Sequence, residues 1–517
     1  MLRTCFGGGV LAITGTFCIA AHAAMRCATC HPKETSRFLA SPMGRSLGPP
    51  NPLLPGRVRQ ESSGSDISIE IQGGRMIHRL SERGLTAEYS IAYQIGSGVR
   101  GRSYVVDIGN YLLESPISWY RDHGWDISPG YEGMQLIDFD RTVTESCLFC
   151  HSGRAKFTDA DKRRIAPESV TAITCERCHG NGEDHMRHPS ASNIVNPAKL
   201  SADARDSICE QCHLEGETRV VNPGKSIESF RAGDKLTNTL VTYLYEEAGE
   251  RHPAVSQVEE LAASRCARVS GDKLWCGSCH DPHGERVDRA RQVKALCTSC
   301  HPRLSPAAHP AELKECVSCH MPPRPTSNIA HVAVTDHRIH RPGDTEQFPI
   351  NSADSVFAWR PAPPQFQQRD LALAELQIGS EHHLPTMIQD GVRLLESLPE
   401  KQQNNDPDAL SLLQSIYLNT SAPPKALALS EWAEASEPDS ATFAMNLGIA
   451  LKRAGDTRRA EAQLLRAIDL DPSMMQAYAE LAVLYDEEHR ADDARKTIDR
   501  FLNWNPQSIQ FRLAHRP

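Results

Sequence analysis

Apolar and polar positions alternate in three different rhythms along the 517 residues. The first is an apolar stretch from Val10 to Ala21, preceded by a positive start at Arg3. Ala21-His22-Ala23 closes it with small residues at the −3 and −1 positions of a cleavage site. This predicts a secretory signal peptide over residues 1–23. The alternative is an uncleaved anchor, and the run is short of the ~20 residues a membrane span needs.

The second rhythm has a period of two. Ile67, Ile69 and Ile71 alternate with polar residues, Gly73-Gly74 offers a two-residue turn, and Met76-Ile77-His78-Arg79-Leu80 returns. That is the signature of a β-hairpin. Tyr89, Ile91, Tyr93 and Ile95 alternate again before Gly96. The pattern predicts a small antiparallel β-containing insertion over residues 57–145, read either as a cover for a neighbouring site or as a substrate-binding unit.

The third rhythm is longer. After a Pro-rich stretch over residues 341–367, read as a linker, Pro438, Pro472 and Pro506 recur every 34 residues. So do Ala426, Ala460 and Ala494, and Leu413, Leu447 and Leu481. Leu447-Gly448, Ala460, Ala467 and Pro472, then Tyr478, Leu481, Tyr485 and Ala494, fit the tetratricopeptide (TPR) pattern. Three helix pairs are expected at about 407–440, 441–474 and 475–508, within a helical repeat domain over 368–517. Such a stack offers a concave face to a partner protein; the plainer reading is a helical cap on the rest of the chain.

Composition adds one unusual feature. A formal charge of −9 with no Lys/Arg run argues against nucleic-acid binding. Mean hydropathy of −0.44, and no later run long and apolar enough to span a bilayer, argue against an integral membrane protein. The 17 Cys and 22 His are what change the picture. Fourteen of the Cys form seven Cys-x-x-Cys pairs, each followed at once by His: Cys27/Cys30-His31, Cys147/Cys150-His151, Cys175/Cys178-His179, Cys209/Cys212-His213, Cys276/Cys279-His280, Cys297/Cys300-His301 and Cys316/Cys319-His320.

Each matches the attachment sequence of c-type haem. Two thiols three residues apart reach the two vinyl groups on one porphyrin edge, and the next imidazole falls under the iron. Zinc knuckles and disulfides also use paired Cys, but neither needs the following His; at background usage seven such followers have chance odds of ~10⁻⁹. The expectation is seven covalent haem c groups (Fe), with the 14 Cys as anchors and His31, His151, His179, His213, His280, His301 and His320 as proximal ligands. Cys5 and Cys18 leave with the signal peptide, and Cys266 is left over as a buried small side chain or a reactive thiol.

An iron with a second protein ligand passes electrons, whereas one with an open face can transform a substrate. Ten further His accompany the motifs: His78, His123, His185, His188, His252, His283, His309, His331, His337 and His340. Ten suffice for seven irons, which favours electron transfer. His283, three residues after His280, is too close to bind the same iron and must reach a neighbour. His185, His309, His331 and His337 follow motifs at short offsets, and Met43 is a thioether candidate. The 21 and 19 residues separating His280, His301 and His320 predict a close row of haems, while the first motif is separated from the second by about 115 residues.

With Cys-Ala-Thr-Cys-His and Met43, Cys-Glu-Arg-Cys-His-Gly-Asn-Gly-Glu-Asp-His, Cys-Gly-Ser-Cys-His-Asp-Pro-His-Gly and Thr335-Asp336-His337-Arg338, the sequence resembles exported multihaem cytochromes related to cytochrome c-554, in the variety with C-terminal TPR repeats. The resemblance implies distal ligation by His185, His283, His309, His331, His337 and Met43. It also implies a mainly α fold, with short helices and loops around haems over residues 24–340, the β insertion, and the helical repeats. Enzymes of the wider superfamily include pentahaem nitrite reductase, whose catalytic haem carries Cys-x-x-Cys-Lys; here all seven motifs end in His. The function expected is electron relay between redox partners in the cell envelope, periplasmic or on the outer cell surface, docked through the repeats. The alternative is an oxidoreductase with one open-coordination haem acting on a small nitrogen or sulfur compound.

Overall fold

The computed structural model describes residues 26–245, 252–284, 288–303, 309, 316–341, 356–399, 406–420 and 423–515. The proposed signal peptide and most of the Pro-rich stretch lie outside these residues.

The period-two segment forms more than a hairpin. β1 (Leu47–Gly48) opens the region, followed by the antiparallel ribbon β2 (Gly56–Arg59), β3 (Asp66–Gln72), β4 (Arg75–Glu82) and β5 (Leu85–Ser90). Gly73 and Gly74 take φ of +55° and +77° between β3 and β4, the left-handed pair that a two-residue turn demands. β6 (Tyr93–Ile95), β7 (Gly101–Ile108), β8 (Tyr111–Tyr120) and β9 (Gly124–Ile127) join β1 in a second sheet of order β1-β6-β7-β8-β9. Ile67, Ile69, Met76 and Leu80 from the first sheet share one core with Tyr104, Val106 and Ile117 from the second. The insertion is therefore a two-sheet unit. With about 46% helix and 17% strand, the chain fits a mainly α description only loosely.

The Cys-rich region is built from short helices, such as Pro32–Ala40, Glu145–His151 and Ala202–His213, with two small sheets. β10 (Thr218–Val221) and β11 (Leu240–Tyr245) pair with each other, as do β12 (Pro323–Pro325) and β13 (Ala333–Thr335). β14 (Val356–Ala358) then adds to the free edge of β11. The end of the stretch read as a linker is thus a sheet strand: Tyr243, Leu244 and Tyr245 supply the backbone partners that sequence pattern alone did not show.

The C-terminal region stacks antiparallel helix pairs: Gln367–Glu381 with Pro385–Glu396, Pro407–Leu418 with Pro423–Ser436, Ala441–Arg453 with Thr457–Leu470, and Met475–Glu487 with Ala491–Trp504. The recurrent small residues permit this. A Cβ on Gly448 would sit 2.7 Å from Leu464 Cγ, so glycine lets two helices of a pair close on each other.

The stack is not suspended from a tether. Ile509, on the last short helix (Ile509–Ala514), is buried in the core of the two-sheet unit. Ser508 Oγ donates to Asp138 Oδ2 at 2.8 Å and the Tyr89 hydroxyl donates to Asn505 Oδ1 at 3.0 Å. Asp161 accepts from Ser440 Oγ and from the Ala441 backbone N–H, capping the helix that starts there. At the other end Arg369, buried, holds Asp406 and Asp370 and reaches the Val221 carbonyl on β10.

Candidate metal centres

Each Cys-x-x-Cys-His segment is one helical turn. The His backbone N–H donates to the carbonyl of the first Cys at 2.8 Å in Cys27–His31, and at 2.9 Å in Cys175–His179, Cys276–His280 and Cys297–His301. A single turn brings the first thiol and the imidazole onto one side of the backbone.

Four of the seven motif imidazoles face a second imidazole. His31 and His185 have ring centres 6.4 Å apart with planes 20° from parallel, and His179 and His283 are 5.9 Å apart at 19°. His280 and His337 are 6.2 Å apart at 29°, and His320 and His309 are 6.2 Å apart at 28°. That separation is too wide for stacking. It is the spacing expected when both rings bind one iron through Nε2, since two bonds of ~2.0 Å plus the ring radii give roughly 6 Å.

The other ring nitrogen is engaged accordingly. Nδ1 of His179 lies 2.8 Å from the Val195 carbonyl, that of His320 2.9 Å from the His340 carbonyl, and that of His337 2.8 Å from the Thr335 carbonyl. His185 Nδ1 lies 3.0 Å from the Ser190 carbonyl, and His283 Nδ1 3.1 Å from Asp281 Oδ1. A proton held at Nδ1 by an acceptor leaves the Nε2 lone pair for a metal. Burial also pushes His151, His179, His213, His280 and His337 below the ordinary imidazole pKa, favouring the neutral, ligating form.

The first five motifs surround a connected cavity of about 2680 Å³, lined by the Cys pairs from Cys27 to Cys279 and by Met43, His185, His283 and His337. One small-molecule site occupies ~300–1,000 Å³, so the space suits several large groups side by side. The thiols of successive motifs meet along it and beyond its end. Cys27 lies close enough to Cys175 for their thiols to influence each other, as do Cys150 and Cys212, Cys209 and Cys276, and Cys297 and Cys316. Cys178 lies within electrostatic reach of Cys209, and Cys279 within reach of Cys297. In space the order is therefore first, third, fourth, fifth, sixth, seventh, with the second joined to the fourth. The first motif, remote in sequence, is not remote in the fold, because Cys27 lies beside Cys175 of the third.

The structure does not bring every predicted anchor to that cavity. Cys297, Cys300, Cys316 and Cys319, the thiols of the last two motifs, are not among its lining residues. Cys300 and Cys319 are also exposed; Cys30 and Cys147 are exposed too, but at the cavity's edge. Both thiols are exposed and touched by neighbouring hydroxyls. Ser299 Oγ donates to Cys300 Sγ at 3.9 Å and Ser318 Oγ to Cys319 Sγ at 4.0 Å. The physical reason is the elements that carry them. Cys300 ends the helix Arg289–Cys300, in which Val293 alone is buried, and Cys319 lies on the single turn Val317–His320, which buries no residue. Motif spacing sets the thiols' separation along the turn but not the side on which the fold covers them.

The remaining candidates are placed differently. Met43 lines the cavity, and Ser46, three residues on, donates its hydroxyl to the His151 carbonyl at 2.7 Å. Among the described residues no imidazole stands parallel to His151, His213 or His301 in the manner above. His331 does not face a motif His; it lies against His123 and Asp126 at the end of the two-sheet unit. Its position shortly after the last motif suggested an axial ligand, but a long-range contact with the β8–β9 turn holds it elsewhere. His78 is fully buried between Tyr104 and Trp125, far from ligand duty. His252 is buried with Nδ1 on Glu260, and its Nε2 has no hydrogen-bond partner among the described residues. Cys266 lies within electrostatic reach of Cys279 and Cys297.

Several residues between the motif cysteines, which sequence reading treats as spacers, hold the site together. Arg177 lies over the Phe149 ring at 4.3 Å, donates to the Phe149 carbonyl and pairs with Glu228 at 3.2 Å, locking the second and third motifs. Glu210, buried in the fourth, accepts from Arg360 Nη2 at 2.7 Å and Trp359 Nε1 at 3.2 Å, clasping the segment that leads to the repeats. A buried charge carries a large desolvation penalty unless paired, and charged spacers inside a Cys-x-x-Cys are the signal that could have announced this.

Comparison with known proteins matches two segments of the chain. Residues 267–305 match the doubled CXXCH motif family, and residues 451–515 match a tetratricopeptide repeat family. The chain thus carries a doubled motif that points to covalently bound c-type haem, joined to TPR repeats, a module for protein–protein interaction. Among solved structures it is similar to MamA, 19% identical over 26% of this chain and 79% of that one, with a TM-score of 0.23. It is also similar to YrrB, a TPR protein with an unusual peptide-binding site, 17% identical over 28% of this chain and 73% of that one, again with a TM-score of 0.23. No curated protein matches the chain. Among the described residues no helix is long and apolar enough to cross a membrane.

Proposed function

We propose that this protein is an exported heptahaem cytochrome of the kind related to cytochrome c-554, relaying electrons between partners in the cell envelope. The observation that carries the reading is the set of four imidazole pairs about 6 Å apart, strung along motifs whose thiols lie near one another. Each haem, when bound, supplies a one-electron iron couple. The chain's part is to hold two imidazoles at each of these four irons, to orient several of them through Nδ1 and to keep neighbouring sites close. Paired ligation saturates the metal, which suits transfer and discourages substrate binding. Thioether attachment needs no enclosure of the thiol, so Cys300 and Cys319 keep their proposed role on the open side of the last two motifs. His252 carries the features of a further axial ligand: burial, a carboxylate on Nδ1 and a bare Nε2. Met43 is the candidate beside His151. Periplasmic or surface location rests on the signal-peptide pattern, and docking of the redox partner on the repeats.

A second reading, an oxidoreductase with one open iron, draws on His151, which lines the cavity without an imidazole facing it. Electron paramagnetic resonance of the oxidised protein, with carbon monoxide added after reduction, separates the two. Relay predicts low-spin signals throughout and no carbon monoxide adduct. A high-spin signal, with a carbon monoxide adduct forming on reduction, contradicts it.

A further inference from the structure

The last two motifs end the row on an open side of the chain. Cys300 and Cys319 are exposed, and so is His301. The helix Arg289–Cys300 buries Val293 alone, and the turn Val317–His320 buries no residue. The short helix Arg265–Ser270 lies against the same end, because its Cys266 is within electrostatic reach of Cys279 and Cys297. One turn on, Val269 is 80% exposed, the most exposed large apolar side chain among the described residues. Cations surround it. Arg265, Arg268, Lys273, Arg289, Arg291 and Arg303 are exposed on this stretch, against exposed Asp272 and Asp288. Arg289 is close enough to the fifth motif to act on Cys279 and His280. Residues 265–303 hold eight Lys/Arg and four Asp/Glu, whereas the whole chain holds 56 and 65. An acidic protein thus carries a local basic face where its row of motifs is least covered.

We propose that this face is the docking surface for a second redox partner, a small one-electron carrier protein with an acidic face. The inference rests on the relay reading above, in which a donor and an acceptor are both required: the repeats engage one partner, and the basic end receives the other. An exposed apolar spot rimmed by charge is the usual form of an interaction patch. Complementary charge speeds encounter and sets the orientation of the two proteins, and salt screens it. Thioether bonds form at the vinyl edge of a porphyrin and the propionates leave from the opposite edge, so the thiol side keeps the positive charge of its arginines. One electron passes between the carrier's centre and the haem of the sixth or seventh motif; the donor is oxidised by the electron that the acceptor gains, and no bond or proton moves.

The test is stopped-flow reduction of the full, haem-loaded chain by a reduced plant-type ferredoxin, an acidic one-electron carrier, from low to high ionic strength. The second-order rate for wild type falls as salt rises. R265E/R268E and R291E/R303E each lower it about tenfold or more at low salt and flatten its salt dependence, with haem content unchanged. R75E/R458E makes the same charge change at exposed positions on the two-sheet unit and the repeats, and stays close to the wild-type rate. A rate indifferent to salt, equal slowing in R75E/R458E, or wild-type rates in both docking variants overturns the proposal and leaves the relay reading standing. Absence of haem from the purified chain overturns that reading and the proposal with it. Salt-sensitive self-association of wild type in sedimentation, abolished in R265E/R268E, also overturns the proposal, because it gives the face to a second copy of the chain.

Discussion

The decisive residues are imidazoles, and their surroundings assign them different work. The axial candidates His179, His185, His283, His320 and His337 have Nδ1 near a carbonyl or carboxylate oxygen; His78 has Nδ1 2.8 Å from Ser115 Oγ and is sealed among aromatic rings. Burial alone pushes His78 down to about 3 from its ordinary 6.5. Below pH 6.5 the unfolded chain takes up a proton that the folded chain refuses, so stability is lost as pH falls through that range. The loss is about 1.4 kcal/mol per pH unit for this one group. Replacing His78 with Phe should flatten the acid limb of the unfolding curve relative to wild type by that slope, measured by denaturant titration between pH 4.5 and 7. Identical slopes would show that His78 titrates normally in the fold. At this scale the sequence was readable where chemistry fixes spacing: all 14 motif Cys and seven following His stand on single helical turns. It was unreadable for the exposure of Cys300 and Cys319, which depends on what packs beside their turns. It was equally so for His331, whose partners come from a turn about 200 residues earlier.

Among elements, local rhythm was a faithful guide and long-range pairing was not. Alternation at Ile67, Ile69 and Ile71 announced β3, and Gly73-Gly74 announced its turn. β8 was hidden, because Tyr111, Leu112 and Leu113 are all buried and show no alternation. β14 was hidden among prolines, since what makes Val356–Ala358 a strand is the waiting edge of β11. The 34-residue period marked the helix pairs, yet said nothing of the final short helix, whose Ile509 is buried in another unit's core. Ile509→Ala should cost about 2–5 kcal/mol, the range for truncating a buried aliphatic side chain. The loss should appear together in the β-sheet and helical signals of thermal unfolding; loss in the helical signal alone would mean the two units are not coupled.

Across the whole molecule, the repeats and the Cys-rich region form one packed body. Arg360 on Glu210, Arg369 on the Val221 carbonyl and Ser508 on Asp138 tie the helical stack to the fourth motif, to β10 and to the two-sheet unit. A partner docked on the stack would therefore be held in fixed relation to the row of motifs, which is what directed electron transfer requires. The spatial order of the motifs departs from their sequence order because the two-sheet unit separates the first from the second along the chain, while Cys27 lies near Cys175. The most direct measurement is the intact mass of the purified, exported chain, which counts covalent groups. Seven haems per chain, with Cys266 as the one free thiol of the mature protein, is the result expected. Fewer haems with free thiols left at a Cys-x-x-Cys-His motif, Cys300 and Cys319 included, or zinc in place of haem, would contradict it.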